Sequence, residues 1–388
     1  METHVDLKKL RSVALPVGLL GLLACVFGYV NDHDGFAVSW LMGWTFWFFL
    51  SLGGLGWLMI FHLTSGRWGY VIQRPCETAA RLMPVMLLLF IPVVLSMHSL
   101  YEWTHPEAIA TDHLIQHKQA YLNQTGFLIR LGVYFAIWTG LAYALSGLSR
   151  AAGANGNPDT VKRMRVIAAP GLLAFSLAAT FASFDWLMSL EPHWFSSIFG
   201  AVFMVAAGLS TMLFLAVLMH HLSKDKPLKG VITAQQFHDI GNWCFAFTIL
   251  WTYMNFSQFL IIWSGNLYEE TFWYLKRAKG GWVEFSAIMA VVLFAIPFIL
   301  MLFRNNKRVS ATLATIAGVV FIARYMEIYW LVAPTFRKTA ASVTWLDAAA
   351  LLGIGGLWLT LFTLGLRRAP LLSGDARFVD YAKGGEGH

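Results

Sequence analysis

Charge is what this chain has least of. Only 13% of its 388 residues are Asp, Glu, Lys or Arg, where an average soluble domain carries about a quarter. With 57% hydrophobic residues and a mean hydropathy of +0.60, water is not its main solvent. Cysteine is scarcer still. Cys25, Cys76 and Cys244 lie far apart and form no CxxC, CxxCH or clustered pattern, which excludes a thiol-held zinc, iron–sulfur cluster or c-type haem. The His pairs that a transmembrane cytochrome b needs well inside facing helices are missing too: His98 lies near the end of one apolar run and the others at termini or in loops. No nucleotide-binding loop or metal-ligand spacing occurs, so the chain is expected to hold no cofactor covalently or by a metal motif.

What is abundant is apolar and aromatic: 30 Phe, 17 Trp and 12 Tyr, rings that suit the headgroup level of a bilayer. A bilayer core of about 30 Å needs roughly 20 apolar residues of helix. Ten such runs are found, near Val13–Val30, Phe36–His62, Ala79–Leu100, Gly126–Leu148, Val166–Leu190, Trp194–His221, Ile240–Ser264, Trp282–Phe303, Val309–Ala333 and Thr344–Leu366. Leu22-Leu23-Ala24-Cys25 behind Lys8, Lys9 and Arg11 has the look of a lipoprotein signal, but the apolar run continues to Val30 and reads better as a span. The expectation is an all-α integral membrane protein, residues 1–388 forming a single transmembrane domain of about ten helices, with four-helix sub-bundles of helices three to six and seven to ten fitting the spacing. Most of the 28 Lys and Arg fall on the side that holds both ends of the chain, which positive-inside places in the cytoplasm. The net charge of +7 is therefore a matter of orientation and not of nucleic-acid binding. Ala151–Asp159, rich in Gly, Asn and Pro, reads as a solvent loop. Tyr101–Thr125 reads as a short amphipathic helix on the opposite surface.

Ionisable side chains within spans are costly and read by default as functional. His98, Arg130, Asp185, Glu284, Arg324, Glu327 and Asp347 all fall in the half of the membrane away from the termini, while the cytoplasmic half offers mainly His62, His220 and His221. Arg324 and Glu327, at i and i+3, share a helix face and can pair, for a structural or a functional purpose. Asp185, between Phe184 and Trp186 with no cation near it in sequence, is an acid whose burial favours the neutral form and suits it to proton exchange. Asp185, Glu284, Arg324, Glu327 and Asp347 form a candidate proton pathway. His98 and Glu102, four residues apart, are candidates to face one pocket with Arg130, where an imidazole beside a carboxylate takes a proton from a quinol hydroxyl. Asn255 and Gln258, with Tyr253 and Trp263, line a polar face or cement helix packing.

Two long strings carry a resemblance. Phe184-Asp185-Trp186-Leu187-Met188-Ser189-Leu190-Glu191-Pro192-His193-Trp194 and Phe256-Ser257-Gln258-Phe259-Leu260-Ile261-Ile262-Trp263-Ser264-Gly265-Asn266-Leu267-Tyr268-Glu269-Glu270-Thr271-Phe272-Trp273-Tyr274-Leu275 resemble segments of the NrfD-like (polysulfide reductase NrfD family) membrane subunits of bacterial alternative complex III. The length and short tails look most like the smaller of that complex's two NrfD-like subunits. The resemblance implies a haem-free, multi-pass subunit in a bacterial inner membrane, part of a quinol:cytochrome c oxidoreductase and taking part in quinone binding or proton translocation. The implied partners are lipid, a second NrfD-like subunit, an iron–sulfur subunit and c-type haem subunits that carry the clusters and haems. The larger sister is the stronger candidate for the quinol pocket. The family's motif aspartate carries over to Asp185, whereas Glu284, Arg324, Glu327 and Asp347 are read from membrane depth alone. A proton-coupled secondary transporter, with Gly53-Gly54-Leu55-Gly56 breaking helix two, and a passive anchor for redox subunits stand as alternatives.

Overall fold

The computed structural model describes residues 7–151, 158–224, 228, 232–368 and 370–371. Most of the expected Ala151–Asp159 loop, like the chain termini, lies outside the described residues. Among the described residues there is no strand, and ten helices are long and apolar enough to cross a membrane. They are α1 (Lys8–Asn31), α2 (His33–Thr64), α3 (Arg67–Leu95), α4 (Gln124–Ala151), α5 (Pro158–Leu190), α6 (Phe199–Leu222), α7 (Ala234–Gly265), α8 (Trp282–Leu302), α9 (Ser310–Phe336) and α10 (Trp345–Leu366). The chain is an all-α, multi-pass membrane protein.

Most ends fall within a few residues of the expected ones, because a bilayer-spanning apolar run sets its own length. Helix α3 departs most. It starts at Arg67 and not at Ala79, since the polar stretch Arg67–Ala80 is helical and buried against α2. Arg74 and Glu77, one turn apart, pair at 2.6 Å, which makes burial of both tolerable. Farther along, Pro84 and Pro92 withhold the N–H groups that an unbroken helix needs, and α3 is interrupted by turns at Arg81-Leu82 and Leu89-Phe90. In α8, Pro297 has no N–H for the Leu293 carbonyl, and the preceding turn, Val291–Ala295, widens to π geometry. Helix α7 begins earlier than its apolar run because Thr233 and Gln236 form a capping box.

Helix α2 is the central post. It packs against α1, α3, α5, α6, α9 and α10, and its most apolar window is 83% buried. Four of its tryptophans donate indole N–H bonds of 2.8 Å to backbone carbonyls of neighbours: Trp40 to Leu89, Trp44 to Met86, Trp47 to Leu351 and Trp57 to Gly208. Interhelical bonds of this kind in membranes average about 0.6 kcal/mol, so the four together contribute roughly 2–3 kcal/mol. The glycines of Gly53–Gly56 do not break α2, which runs unbroken from His33 to Thr64. They admit neighbours instead: a Cβ on Gly53 would collide with the Ala207 carbonyl of α6.

Between α3 and α4 the chain folds into a 3₁₀ turn, Glu102–Thr104, and two short helices, Pro106–Thr111 and His113–Lys118, where one amphipathic helix was expected. Asp112 separates the two helices, accepting the Leu114 and Ile115 N–H groups and pairing with His193 at 2.6 Å.

The first and last spans meet at their backbones. Gly18 and Gly21 of α1 face Gly356 and Gly353 of α10, and a Cβ on Gly21 would lie 2.6 Å from the Gly353 Cα, the close approach that small residues allow in lipid. Gly132 on α4 has no atom within 4 Å of an added Cβ. Gly21→Ala is therefore expected to destabilise by about 1–3 kcal/mol, and Gly132→Ala not to, as read from thermal unfolding in mild detergent.

Candidate functional site

The seven ionisable groups expected as one set are sorted by the structure into three ion pairs and two exposed side chains. Among the described residues no hydrogen bond joins one pair to another. Asp185, with no cation near it in sequence, is held by Arg130 from the next span through two bonds of 2.8 and 2.9 Å, and Tyr134 donates to it at 2.7 Å. It is 1% exposed. Sequence could not pair them because 55 positions separate them; only α4–α5 packing does. Arg130 also stacks on Tyr121 at 3.9 Å, and a cavity of about 300 Å³ reaches Tyr121 and Ser189, the latter donating to the Asp185 carbonyl.

Asp347 accepts two bonds from Arg337, at 2.6 and 2.7 Å, one from Ser39 at 2.6 Å and the Thr344 N–H at 2.9 Å. The last of these closes a capping box at the start of α10, which accounts for the carboxylate as a structural tie. Glu284 is exposed in the first turn of α8 and belongs to no buried chain of acids. The expected quinone pocket is not assembled either. His98 and Glu102 are exposed, the His98 ring stacks on His105 with centroids 3.9 Å apart, and Arg130 is engaged with Asp185.

The third pair is different. Arg324 and Glu327 are bonded one turn apart, as their spacing foretold, and are 1% and 3% exposed. Trp251 of α7 donates its indole N–H to the other Glu327 oxygen, and Arg324 lies over the Trp251 ring. Nε and Nη1 of Arg324 are buried with no protein partner. This pair borders a cavity of about 530 Å³ between α7, α8 and α9, with Glu327 in its lining. Phe256, Phe259, Trp263 and Val283 line it while being 37–58% exposed on the outer surface, so it opens toward lipid. The small side chains Ser286, Ala287 and Ala290 make room on α8, whose π turn contributes Phe294. Asn255 lines the cavity and donates back to the Trp251 carbonyl, whereas Gln258 bonds Ser196 and Tyr274. Thus one of the two amides serves the cavity and the other helix packing.

Arg277 completes the lining. It follows the short helix Tyr268–Lys276 and donates to the carbonyls of Trp273, Trp330 and Leu331 at 2.8–3.1 Å, its plane 3.5 Å above the Trp273 ring. Burial pushes its pKa down to about 9, against the opposing charges of Glu191 and Tyr274, so it stays protonated at neutral pH. Trp330 lies three residues beyond Glu327 in α9, and Arg277, bonded to its carbonyl, lies in the same cavity wall toward the C-terminal end of that helix. The arrangement is an aromatic slot, open to lipid, with one carboxylate and one guanidinium in its wall. Sequence reading noticed the polar face at Asn255 but passed over Arg277 as a loop cation. It also passed over Glu191, which ties Lys276 and Thr335 at 2.6 and 2.8 Å and so steadies that rim.

No family model matches the chain, and no curated protein matches it.

Asp185→Asn leaves Arg130 without its counter-charge. Breaking a buried pair costs about 3–5 kcal/mol; with 21% of the Arg130 side chain accessible, the low end is expected, read as a lowered unfolding temperature, while Glu284→Gln leaves it unchanged. A second outcome concerns pH. Burial works to raise the Asp112 pKa, but the bonds from Ile115, His193 and Leu114 outweigh it and hold the group below its usual value. A carboxylate depressed by folding contributes stability above its unfolded pKa and loses it as pH falls through the folded one. Hydrogen exchange at the Leu114 and Ile115 amides should therefore stay slow down to about pH 4 and quicken below it.

Proposed function

We propose that this chain is an NrfD-like membrane subunit of a quinol:cytochrome c oxidoreductase of the alternative complex III kind, and that the slot at Glu327 takes the ring of a quinol. The observation that carries the reading is the buried Glu327 carboxylate in the wall of a lipid-open aromatic cavity. An isoprenoid quinol reaches its enzyme through the bilayer, presents a flat ring to aromatic walls and must lose protons as it loses electrons. Stacking surfaces with a few convergent polar groups are what small-molecule pockets are built from.

In this reading quinol gives up two electrons and two protons to become quinone. The electrons would leave for haem and iron–sulfur centres carried by partner subunits. Glu327, hydrogen-bonded by Arg324 and the Trp251 indole, is the proton acceptor for one hydroxyl. Arg277, in the same wall, favours negative charge building on the ring oxygen as the proton departs. The Arg130–Asp185 pair at the smaller cavity is a second proton station on the same face. Both termini lie in the cytoplasm of a bacterial cell, and the slot lies in the opposite half of the bacterial inner membrane. An unbroken α2 gives the transporter reading no support.

Glu327→Gln keeps the shape and removes the base. In the complex purified with its partners it is expected to lower quinol-dependent cytochrome c reduction by about 10²-fold, with subunit content unchanged. Unaltered turnover per assembled complex would leave the chain a passive anchor.

A further inference from the structure

The membrane face opposite the slot carries a second arrangement, unrelated to quinol. At the turn of α3, the last turn of α4 and the end of α10, the guanidiniums of Arg74, Arg81 and Arg368 and one carboxylate, Glu77, lie close enough to act on Arg150. Glu77 is committed: its two oxygens accept from Gln73 at 2.9 Å and from Arg74 at 2.6 Å. Ser149 accepts from the same two side chains at 2.9 and 3.0 Å. That leaves an excess of positive charge at the level where two spans end. Arg74 is 5% exposed, and its Nε, like the Nε of Arg150, is buried with no hydrogen-bond partner. Buried guanidinium donors without acceptors are costly, and a tetrahedral phosphate supplies several oxygens to such a fork at once.

The surface beside them is shaped for a chain. Arg81 donates to Ser146 at 2.9 Å and lies 4.1 Å above the ring of Tyr143 on the outer face of α4. Along that face Gly132, Ala136, Gly140 and Ala144 recur at i+4 and are all exposed. An added Cβ on Gly132, Gly140 or Gly147 would meet no atom within 4 Å, so the helix presents a shallow groove that ends at the arginines.

We propose that this cluster binds the phosphate of an anionic glycerophospholipid, with an acyl chain lying along the small-residue face of α4. Basic pockets between helix ends on one membrane face are suited to such headgroups. The chemistry of the head is shared with free phosphate; the groove is what favours a lipid. This assignment does not depend on what the slot at Glu327 holds.

The test uses the intact complex, stripped of loosely held lipid in mild detergent and then given phosphatidylglycerol, cardiolipin, phosphatidylcholine or inorganic phosphate. Bound lipid is read by native mass spectrometry and stabilisation by thermal unfolding. Phosphatidylglycerol or cardiolipin is expected to be retained and stabilising. Arg81→Gln with Arg150→Gln is expected to weaken retention about thirtyfold, as two basic contacts at a membrane surface should, and the double Lys variant, which keeps the charge and the fold, to retain most of it. Equal retention of phosphatidylcholine, or equal binding in the Gln variant, would overturn the proposal. So would full stabilisation by inorganic phosphate alone, which would make the site one for a free anion. A photo-crosslinker at Ala144 that captured a protein helix instead of lipid would likewise overturn it.

Discussion

A polar group inside a bilayer has no water to fall back on, and nearly every feature of this protein answers to that constraint. The tryptophans of α2 answer it for the backbone. Where prolines interrupt α3, Trp40 and Trp44 donate to the carbonyls of Leu89 and Met86, so a helix that could not stand alone in lipid is completed by its neighbour. Trp47 and Trp57 do the same toward α10 and α6. The post is thus tied to its surroundings by bonds whose donors are themselves large apolar side chains, and anchoring adds no charge to the core.

Charged side chains meet the same demand by pairing, and the kind of pairing separates structure from candidate chemistry. Asp347 is saturated by Arg337, Ser39 and the Thr344 backbone, a knot with nothing left to exchange. Asp185 is nearly as well held, though a cavity touches Ser189, which bonds its carbonyl, and Tyr121, on which its Arg130 partner stacks. Glu327 differs in that it lines open space while its Arg324 partner keeps two buried donors unmet. A group with that combination has both the access and the reason to engage something else.

How much of this was legible in the sequence depended on how local each feature was. The ten spans follow from run length, and the Arg324–Glu327 contact from a spacing of three on one helix. The burial of Arg67–Ala80 was hidden because Arg74 and Glu77 look like loop residues until their mutual pairing is seen. Asp185 looked isolated because its cation comes from another span. His98 and Glu102 looked like a pair because four residues usually share a helix face, but the short helix Met97–Leu100 ends between them and the chain turns there. The cavity needed three helices and a π turn to exist, and no spacing within one segment encodes it.

The glycine seam between α1 and α10 joins spans far apart in the chain, and it bears on biogenesis. A nascent chain lengthens by about 5–20 residues each second, so α1 enters the membrane roughly half a minute before its partner exists. During that wait its Gly18–Gly21 edge faces lipid or the insertion machinery, and the ring of helices around α2 stays open on one flank. Span α10 is the one that shuts it. A ribosome that stalls late therefore releases a protein with its central post uncovered, a form that membrane quality control has every physical means to tell from the finished one.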